Sequence, residues 1–184
     1  MRLLFIFFYF ISFYVNSFAQ NLDCNAIEKE YRYTLNKIEK GNFFLNEYRI
    51  NANRFALDEP DYFQNFEKYY YTLDKREGKN NKPILKAIIL RKEKNKVNYY
   101  YEYFFDNNSE FIFYSEQKQS ETSLVAQDKI KFFFQKEIVL KWFKNESEMK
   151  DKSEDPQNKV DKILKDVKKM KKKFDADVEK LSKF

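Results

Sequence analysis

The sequence predicts an α+β fold in which an antiparallel β-meander of about five to six strands lies between an N-terminal helix and a long amphipathic C-terminal helix. Both ends of the chain carry apolar residues at steps of three and four, the spacing of one helical face. Between residues 66 and 144, short aromatic-rich runs alternate with polar turns, which is the pattern of strands. These short connections leave no room for a crossover, so neighbouring strands must run antiparallel.

The pattern of residues 1–19 predicts a secretory signal peptide. After one positive charge, Leu3–Val15 contains no charged residue, and Ser17 and Ala19 are the small residues that signal peptidase prefers before a cut at Gln20. The apolar run of about 13 residues is shorter than the ~20 that a spanning helix needs, although an uncleaved membrane anchor is the alternative. We therefore expect an exported protein, periplasmic or extracellular after cleavage.

Cys24 is the one cysteine of the chain, so the mature protein cannot form an internal disulfide. The alternatives are a free thiol, an intermolecular disulfide and a lipid anchor. Lipidation requires a small residue before the cysteine, and Asp23 stands there. Residues 20–150 are predicted to form a single α+β domain, and residues 151–184 a basic amphipathic helix.

The first helix is predicted over Leu22–Lys40, and Gly41 with Asn42 supplies its C-terminal stop. Its apolar face consists of Ile27, Tyr31, Leu35 and Ile38. Residues 43–66 are ambiguous between a strand and a second helix, with a loop around Pro60.

Six strands are predicted after this point: Glu67–Leu73, Ile84–Arg91, Val97–Phe105, Glu110–Tyr114, Ile130–Phe134 and Ile138–Phe143. The predicted turns are Lys94-Asn95, Asp106–Ser109 and Gln135–Glu137, and a polar stretch separates Tyr114 from Ile130.

Side chains alternate between the two faces of a strand, so each strand predicts two surfaces. One face of the third strand carries Tyr99, Tyr101, Tyr103 and Phe105 and is the expected core, covered by the N-terminal helix. The opposite face carries aromatic rings between charges, namely Tyr100, Phe104 and Phe143. Either the C-terminal helix covers this second face, or it is an exposed interaction surface.

The last helix is predicted to begin at Pro156 with Asp155 as its N-cap. Its apolar stripe has the 3-4 spacing of a coiled coil, with Val160, Ile163, Val167, Met170, Phe174, Val178 and Leu181. Residues 157–184 contain ten lysines and five acidic residues, whereas residues 20–156 contain 24 of each sign.

The basic cluster of this helix is a second candidate interaction surface, made of Lys168, Lys169, Lys171, Lys172 and Lys173. A basic helix can neutralise phosphates, but export argues against a nucleic-acid partner. Anionic envelope polymers or lipid head groups fit better, and a solvated helix face is the alternative.

Several chemistries are excluded by composition. The chain has no histidine, which excludes Ser-His-Asp and Cys-His nucleophilic sites and imidazole zinc sites. With two glycines it has no Gly-rich phosphate loop. Glu102 and Asp106 share a strand face and could serve carboxylate chemistry, but solvated charges explain them as well.

The aromatic hairpins resemble those of a group of small, uncharacterised exported bacterial proteins with a Tyr/Phe-rich antiparallel β-meander. The similar stretches are Glu102–Asn107 with Phe111–Tyr114, and Lys131–Phe134 with Ile138–Trp142. The glycine expected in such turns is absent from this chain. The resemblance covers about a third of the chain and implies a fold and a compartment rather than an activity.

The sequence thus predicts an exported, non-enzymatic binding or interaction module with no cofactor and no metal. Its expected partner is another envelope protein or an anionic envelope polymer. The alternatives are a structural protein that forms homo-oligomers through the C-terminal helix and, third, a carboxylate-based enzyme.

The N-terminus of the mature protein shows whether the predicted signal peptide is cleaved. We expect the protein recovered from a bacterium that expresses the full chain to begin at Gln20. Ala19→Tyr should block cleavage because signal peptidase requires a small residue at this position. Intact-mass measurement distinguishes the two forms, and a wild-type mass that still includes residues 1–19 would contradict the prediction.

Overall fold

The computed structural model describes residues 24–51, 63–75, 81–94, 97–120, 128–149 and 156–181. The predicted signal peptide, the predicted loop around Pro60 and the predicted N-cap Asp155 lie outside these ranges. The described elements are helix α1 (Cys24–Glu39), strands β1 (Phe44–Ile50), β2 (Phe63–Leu73), β3 (Pro83–Lys94), β4 (Val97–Phe105), β5 (Phe111–Ser120), β6 (Asp128–Gln135), β7 (Ile138–Lys144) and β8 (Ser147–Glu148), and helix α2 (Gln157–Leu181).

The strands form one sheet in the order β1 to β8, each antiparallel to the next. The predicted α+β class, antiparallel meander and terminal helices are confirmed, but the strand count of five to six is wrong. Two strands account for the difference: β1 lies in the region that was left open between strand and helix, and the two-residue β8 was not predicted. Strand β5 also continues through polar residues to Ser120, because pairing with β4 extends that far.

The end of α1 confirms the predicted stop at Gly41. This glycine has a φ of 67°, which residues with a Cβ rarely adopt. Its N–H donates to the carbonyl of Ile38, and the N–H of Asn42 donates to the carbonyl of Lys37. These two bonds are the Schellman motif, which satisfies the last helical carbonyls and turns the chain into β1.

Each face of the sheet is covered by one helix, and we name the faces after them. The α2 face buries the larger cluster: Tyr69, Leu85, Ile88, Leu90, Tyr103, Phe105, Phe111, Tyr114, Phe132 and Phe134, packed on Val160, Ile163, Val167, Met170 and Phe174 of α2. The α1 face buries the smaller one: Ala87, Phe104, Ile112, Phe113 and Phe133, packed on Ile27 of α1.

The predicted assignment of helices to faces is therefore wrong. The face of Tyr101 and Tyr103 lies under α2, and the face of Phe104 lies under α1. The lengths of the helices agree with the observed assignment. The 25 residues of α2 span roughly 37 Å and cover the larger apolar cluster, whereas the 16 residues of α1 span roughly 24 Å and cover the smaller one. Five residues of the stripe that suggested a coiled coil, from Val160 to Phe174, are buried against the sheet of the same chain, and Val178 is partly buried there.

Three β-bulges lie in one line across the sheet. They place an extra residue in alternate strands: Lys86 in β3, Ile112 in β5 and Leu140 in β7. Bulges bend the strand and increase its twist, so the sheet curves along this line. Strict alternation would place Leu85 and Ala87 on one face, but the bulge at Lys86 sends them to opposite faces.

The two tight turns that follow β6 and β7 have no glycine. Lys136 and Glu137 have φ values of 50° and 65°, and Asn145 and Glu146 have 49° and 67°. Positive φ at both central residues matches the right-handed twist of the flanking strands. Non-glycine residues therefore hold conformations that glycine adopts more easily.

Burial of the α2 stripe predicts how much the helix contributes to stability. Ile163→Ala removes a side chain that is 3% exposed and should lower the free energy of unfolding by about 2–5 kcal/mol. Lys165→Ala, on the exposed side of the same helix, should change it by less than about 0.5 kcal/mol. Urea unfolding followed through Trp142, which packs on Phe132, measures both; equal effects would contradict the packing.

Candidate functional site

A groove of about 610 Å³ lies between α2 and the sheet, and we call it the α2 groove. The sheet contributes Glu67, Tyr69, Leu90, Lys92, Tyr101, Tyr103, Tyr114 and Glu116. The helix contributes Asn158, Lys159, Lys162, Ile163, Asp166, Lys169, Met170 and Lys173.

Strand register builds the floor of the groove as two rows across β2 to β5. The first row is Glu67, Leu90, Tyr101 and Glu116, and the second is Tyr69, Ile88, Tyr103 and Tyr114. Paired residues of neighbouring antiparallel strands project to the same face, so all eight side chains point towards α2. An acidic residue thus stands at each end of the first row, with Tyr101 between them.

Two similar ion-pair triads fix the helix over the ends of this row. Lys173 Nζ lies 2.6 Å from Glu67 Oε2, which also accepts the hydroxyl of Tyr69 at 3.2 Å. Lys159 Nζ lies 2.7 Å from Glu116 Oε2, which accepts the hydroxyl of Tyr114 at 2.7 Å.

The charge on Glu67 is stabilised in this arrangement. Burial opposes its ionisation, but the hydrogen bond and charge of Lys173 outweigh burial and lower the pKa of Glu67. The Lys173 ammonium also lies 3.7 Å from the ring centre of Tyr48, a cation–π contact that joins α2 to β1. Ionic and aromatic contacts therefore hold the same lysine.

The tyrosines between the two triads keep their protons. Burial, and then the nearby carboxylates and Tyr99, raises the pKa of Tyr101 to about 12. Burial and the charge of Asp166 also raise the pKa of Tyr103. A protonated phenol can donate and accept a hydrogen bond. Tyr101 is half-buried and suited to a polar ligand, whereas Tyr103 is 3% exposed and belongs to the core beneath the groove.

Beyond the two triads, the groove has an excess of positive charge. Lys92, Lys162 and Lys169 lie at its rim, exposed to solvent, and Asp166 is the remaining acid. Lys92 also lies 5.5 Å from the ring centre of Tyr101. An anionic group near the middle of the groove would therefore meet lysines from both the sheet and the helix.

The five lysines of the predicted basic surface point in different directions, because successive helical residues are about 100° apart. Lys169 and Lys173 line the groove, while Lys168 forms an ion pair with Glu137 at 3.0 Å. Lys171 Nζ donates to the carbonyl of Ser109 at 2.6 Å, and Lys172 is exposed to solvent. The structure therefore divides the cluster, and two of its members belong to the groove.

The predicted aromatic surface is likewise divided. Phe104 is 1% exposed under α1, where the ring of Tyr31 meets it edge-on at 4.7 Å, so the alternative in which it belongs to an exposed surface is wrong. Phe143 is half-buried and packs edge-on against Phe133 at 5.7 Å.

Tyr100 is half-buried at the side of a shallower concavity of about 450 Å³ on the α1 face. The guanidinium of Arg91 lies 5.8 Å from the Tyr100 ring centre and also donates to Asn98. Of the three predicted rings, this one borders an open cavity.

Glu102 lies on the α1 face, inside the domain. Its carboxylate accepts the hydroxyl of Tyr31 at 3.1 Å. Burial raises the pKa of Glu102, and the bonds from Tyr31 and Ser115 and the charges of Lys129 and Lys131 only partly oppose this effect. Glu102 and Tyr31 are thus a polar contact between sheet and helix, and Asp106 instead binds the backbone N–H groups of its turn.

Neither of the two groove acids that bind lysines of α2, Glu67 and Glu116, was predicted as a site residue. Glu67 was counted as part of a strand, and Glu116 was placed in the polar stretch after Tyr114. The available signal was the alternation of Tyr114, Glu116 and Lys118, which continues the strand and places Glu116 on the face of Tyr114.

No protein-family model matches the chain, and no match was found among curated proteins or solved structures. Neither described helix, α1 or α2, contains an apolar stretch that is long enough to cross a membrane. Within the described ranges, no group of three or more acidic or cysteine side chains is arranged to hold a metal ion.

The raised pKa of Glu102 predicts a pH-dependent stability. The folded protein favours the neutral acid, so this contribution is full below the unfolded pKa and is lost as the pH rises through the folded pKa. Glu102→Gln keeps an acceptor for Tyr31 and removes the buried charge. We expect the stability of the variant relative to wild type to be greater at pH 7 than at pH 4.

Urea unfolding at a series of pH values measures this difference. Glu110→Gln, at an exposed acid in the turn after β4, serves as the control and should follow the wild-type profile. If Glu102→Gln also followed that profile, the carboxyl would not be destabilised by burial.

Proposed function

We propose that the chain is an exported, non-enzymatic binding module that holds a segment of an acidic polysaccharide of the cell envelope in the α2 groove. One feature of the groove supports this function above all. The half-buried ring and hydroxyl of Tyr101 lie between two ion-pair triads, and Lys92, Lys162 and Lys169 at the rim form no ion pair among the described residues.

The chemistry of the floor suits a sugar. The half-buried ring of Tyr101 offers an apolar face to the C–H surface of a pyranose, and its hydroxyl can exchange hydrogen bonds with the sugar hydroxyls. Asp166 adds an acceptor on the side of the helix. Both apolar and polar contacts are therefore available along the same line of the groove.

The charge of the groove favours an acidic sugar over a neutral one. Glu67 and Glu116 are each neutralised by a lysine, which leaves Lys92, Lys162 and Lys169 against Asp166. A uronic-acid carboxylate would bind these lysines through charge-assisted hydrogen bonds. An acyl chain fits poorly, because eight of the sixteen lining residues are charged.

The positions of the groove acids favour binding over hydrolysis. Glu67 and Glu116 lie three strand spacings apart, roughly 14 Å at about 4.8 Å a strand. Paired catalytic carboxylates of glycosidases are about 5–9.5 Å apart. Each acid also accepts bonds from a lysine and a tyrosine, which suits an anchor for α2 better than a proton donor.

Titration with an oligogalacturonate of defined length tests this function, and the methyl-esterified oligomer is the uncharged control ligand. Lys162→Gln/Lys169→Gln should weaken binding of the acidic oligomer by about tenfold or more. Lys165→Gln/Lys172→Gln removes the same charge from other positions of the same helix and should change affinity by less than about twofold.

Calorimetry and Trp142 fluorescence measure the affinities. Equal losses in both double variants would mean that net charge, and not the groove, binds the polymer. No binding of oligogalacturonate, alginate or a sulfated glycan by the wild-type protein would reject the acidic-polysaccharide proposal.

A further inference from the structure

Strand β1 forms one edge of the sheet described by the structure, and its exposed side chains are unusually apolar. It pairs with β2 on one side only, over all seven of its residues. Phe44, Leu45 and Ile50 are 53%, 45% and 47% exposed. A long edge strand with exposed apolar side chains is a template for pairing with another strand.

The charges of β1 indicate which strand fits. Glu47 and Arg49 flank Tyr48, lie on the same face and contact each other through their side chains. Lys68 of β2 lies 3.6 Å from Glu47 on the same face. The edge therefore presents one negative and one positive side chain, spaced symmetrically about Tyr48.

This arrangement is self-complementary. When a second β1 is laid antiparallel along the first with Tyr48 opposite the partner's Tyr48, Glu47 stands opposite the partner's Arg49, and Arg49 opposite the partner's Glu47. Opposite charges in directly paired positions stabilise an antiparallel pair. In a register two residues away, Glu47 would face the partner's Glu47, which is repulsive.

We infer that two copies of this chain associate edge to edge through β1, in the antiparallel register centred on Tyr48. The two-fold axis is perpendicular to the sheet, so the α1 faces of both copies lie on one side and the α2 faces on the other. The pairing continues one sheet across both subunits. It also brings Ile50 opposite the partner's Asn46 and places Leu45 beside the new strand.

Strand pairing ends where the backbone of β1 changes direction. Asn51 has a φ of 54°, in the left-handed region, directly after Ile50. Five paired positions, from Asn46 to Ile50 in each copy, thus lie within the regular strand. These positions include both charged residues and the central Tyr48.

Charge exchange tests the register. Glu47→Arg alone and Arg49→Glu alone each place like charges opposite each other twice across the two-fold axis. Both variants should dissociate, with a dimer dissociation constant raised by about tenfold or more. The double exchange Glu47→Arg/Arg49→Glu restores opposite charges and should recover the dimer.

A mixture of the two single variants gives the sharpest result. In the mixed pair, the two arginines on the edge of the Glu47→Arg chain face the two glutamates on the edge of the Arg49→Glu chain. A heterodimer should therefore form although each variant alone is monomeric. Sedimentation velocity measures the dissociation constants, and native mass spectrometry identifies the heterodimer. Glu110→Arg makes the same charge change away from the edge and should remain dimeric like the wild type.

Circular dichroism and Trp142 fluorescence verify that every variant is folded. Single variants that stay dimeric, or a mixture that fails to form the heterodimer, would overturn this interface. A wild-type protein that is monomeric at about 200 µM would also overturn it and leave the edge for a strand of another protein.

Discussion

The structure depends on one constraint: both faces of its sheet are apolar, so each must be covered. Ring contacts run across the sheet on both sides, with Phe113 and Phe133 at 5.1 Å on the α1 face and Phe132 and Trp142 at 5.6 Å on the α2 face. Leaving either face in water would expose several fully buried aromatic rings, each of which gains about 2–3 kcal/mol from burial. The two helices are therefore integral to the sheet's stability.

The element types could be predicted from the sequence because they depend on local patterns. The apolar steps of Val160, Ile163 and Val167 define a helix face, and Gly41 supplies a residue that tolerates positive φ. Strand β1 could not be assigned in the same way. None of its residues is fully buried, so the sequence shows no apolar side that would separate a strand from a helix.

Simple alternation along a strand could not predict which side chains point to which face of the sheet. A bulge reverses the alternation at one residue, and the residue at which it occurs is set by neighbouring strands. The bulges at Lys86 and Ile112 lie at the same level of the sheet. Ala87, directly after the first bulge, and Phe113, directly after the second, both pair with Phe104 of the intervening β4. The candidate site was predicted in part, because Lys169 and Lys173 were named as members of a basic surface. The roles of Glu67 and Glu116 depend on strand register and on the position of α2, which local sequence patterns do not determine.

The α2 groove runs along one side of α2, where the helix lies on the sheet. The residues that α2 contributes to the groove include Asn158, Lys162, Asp166, Lys169 and Lys173, which lie along one side of the helix next to its buried stripe. The apolar stripe holds the helix by burial, and Lys159 and Lys173 hold it over Glu116 and Glu67. The groove lies over Tyr101 beside this stripe, while the middle of the helix stays packed on the sheet. The same ion pairs that attach the helix therefore also define the length of the cavity and leave the lysines of its rim for a ligand.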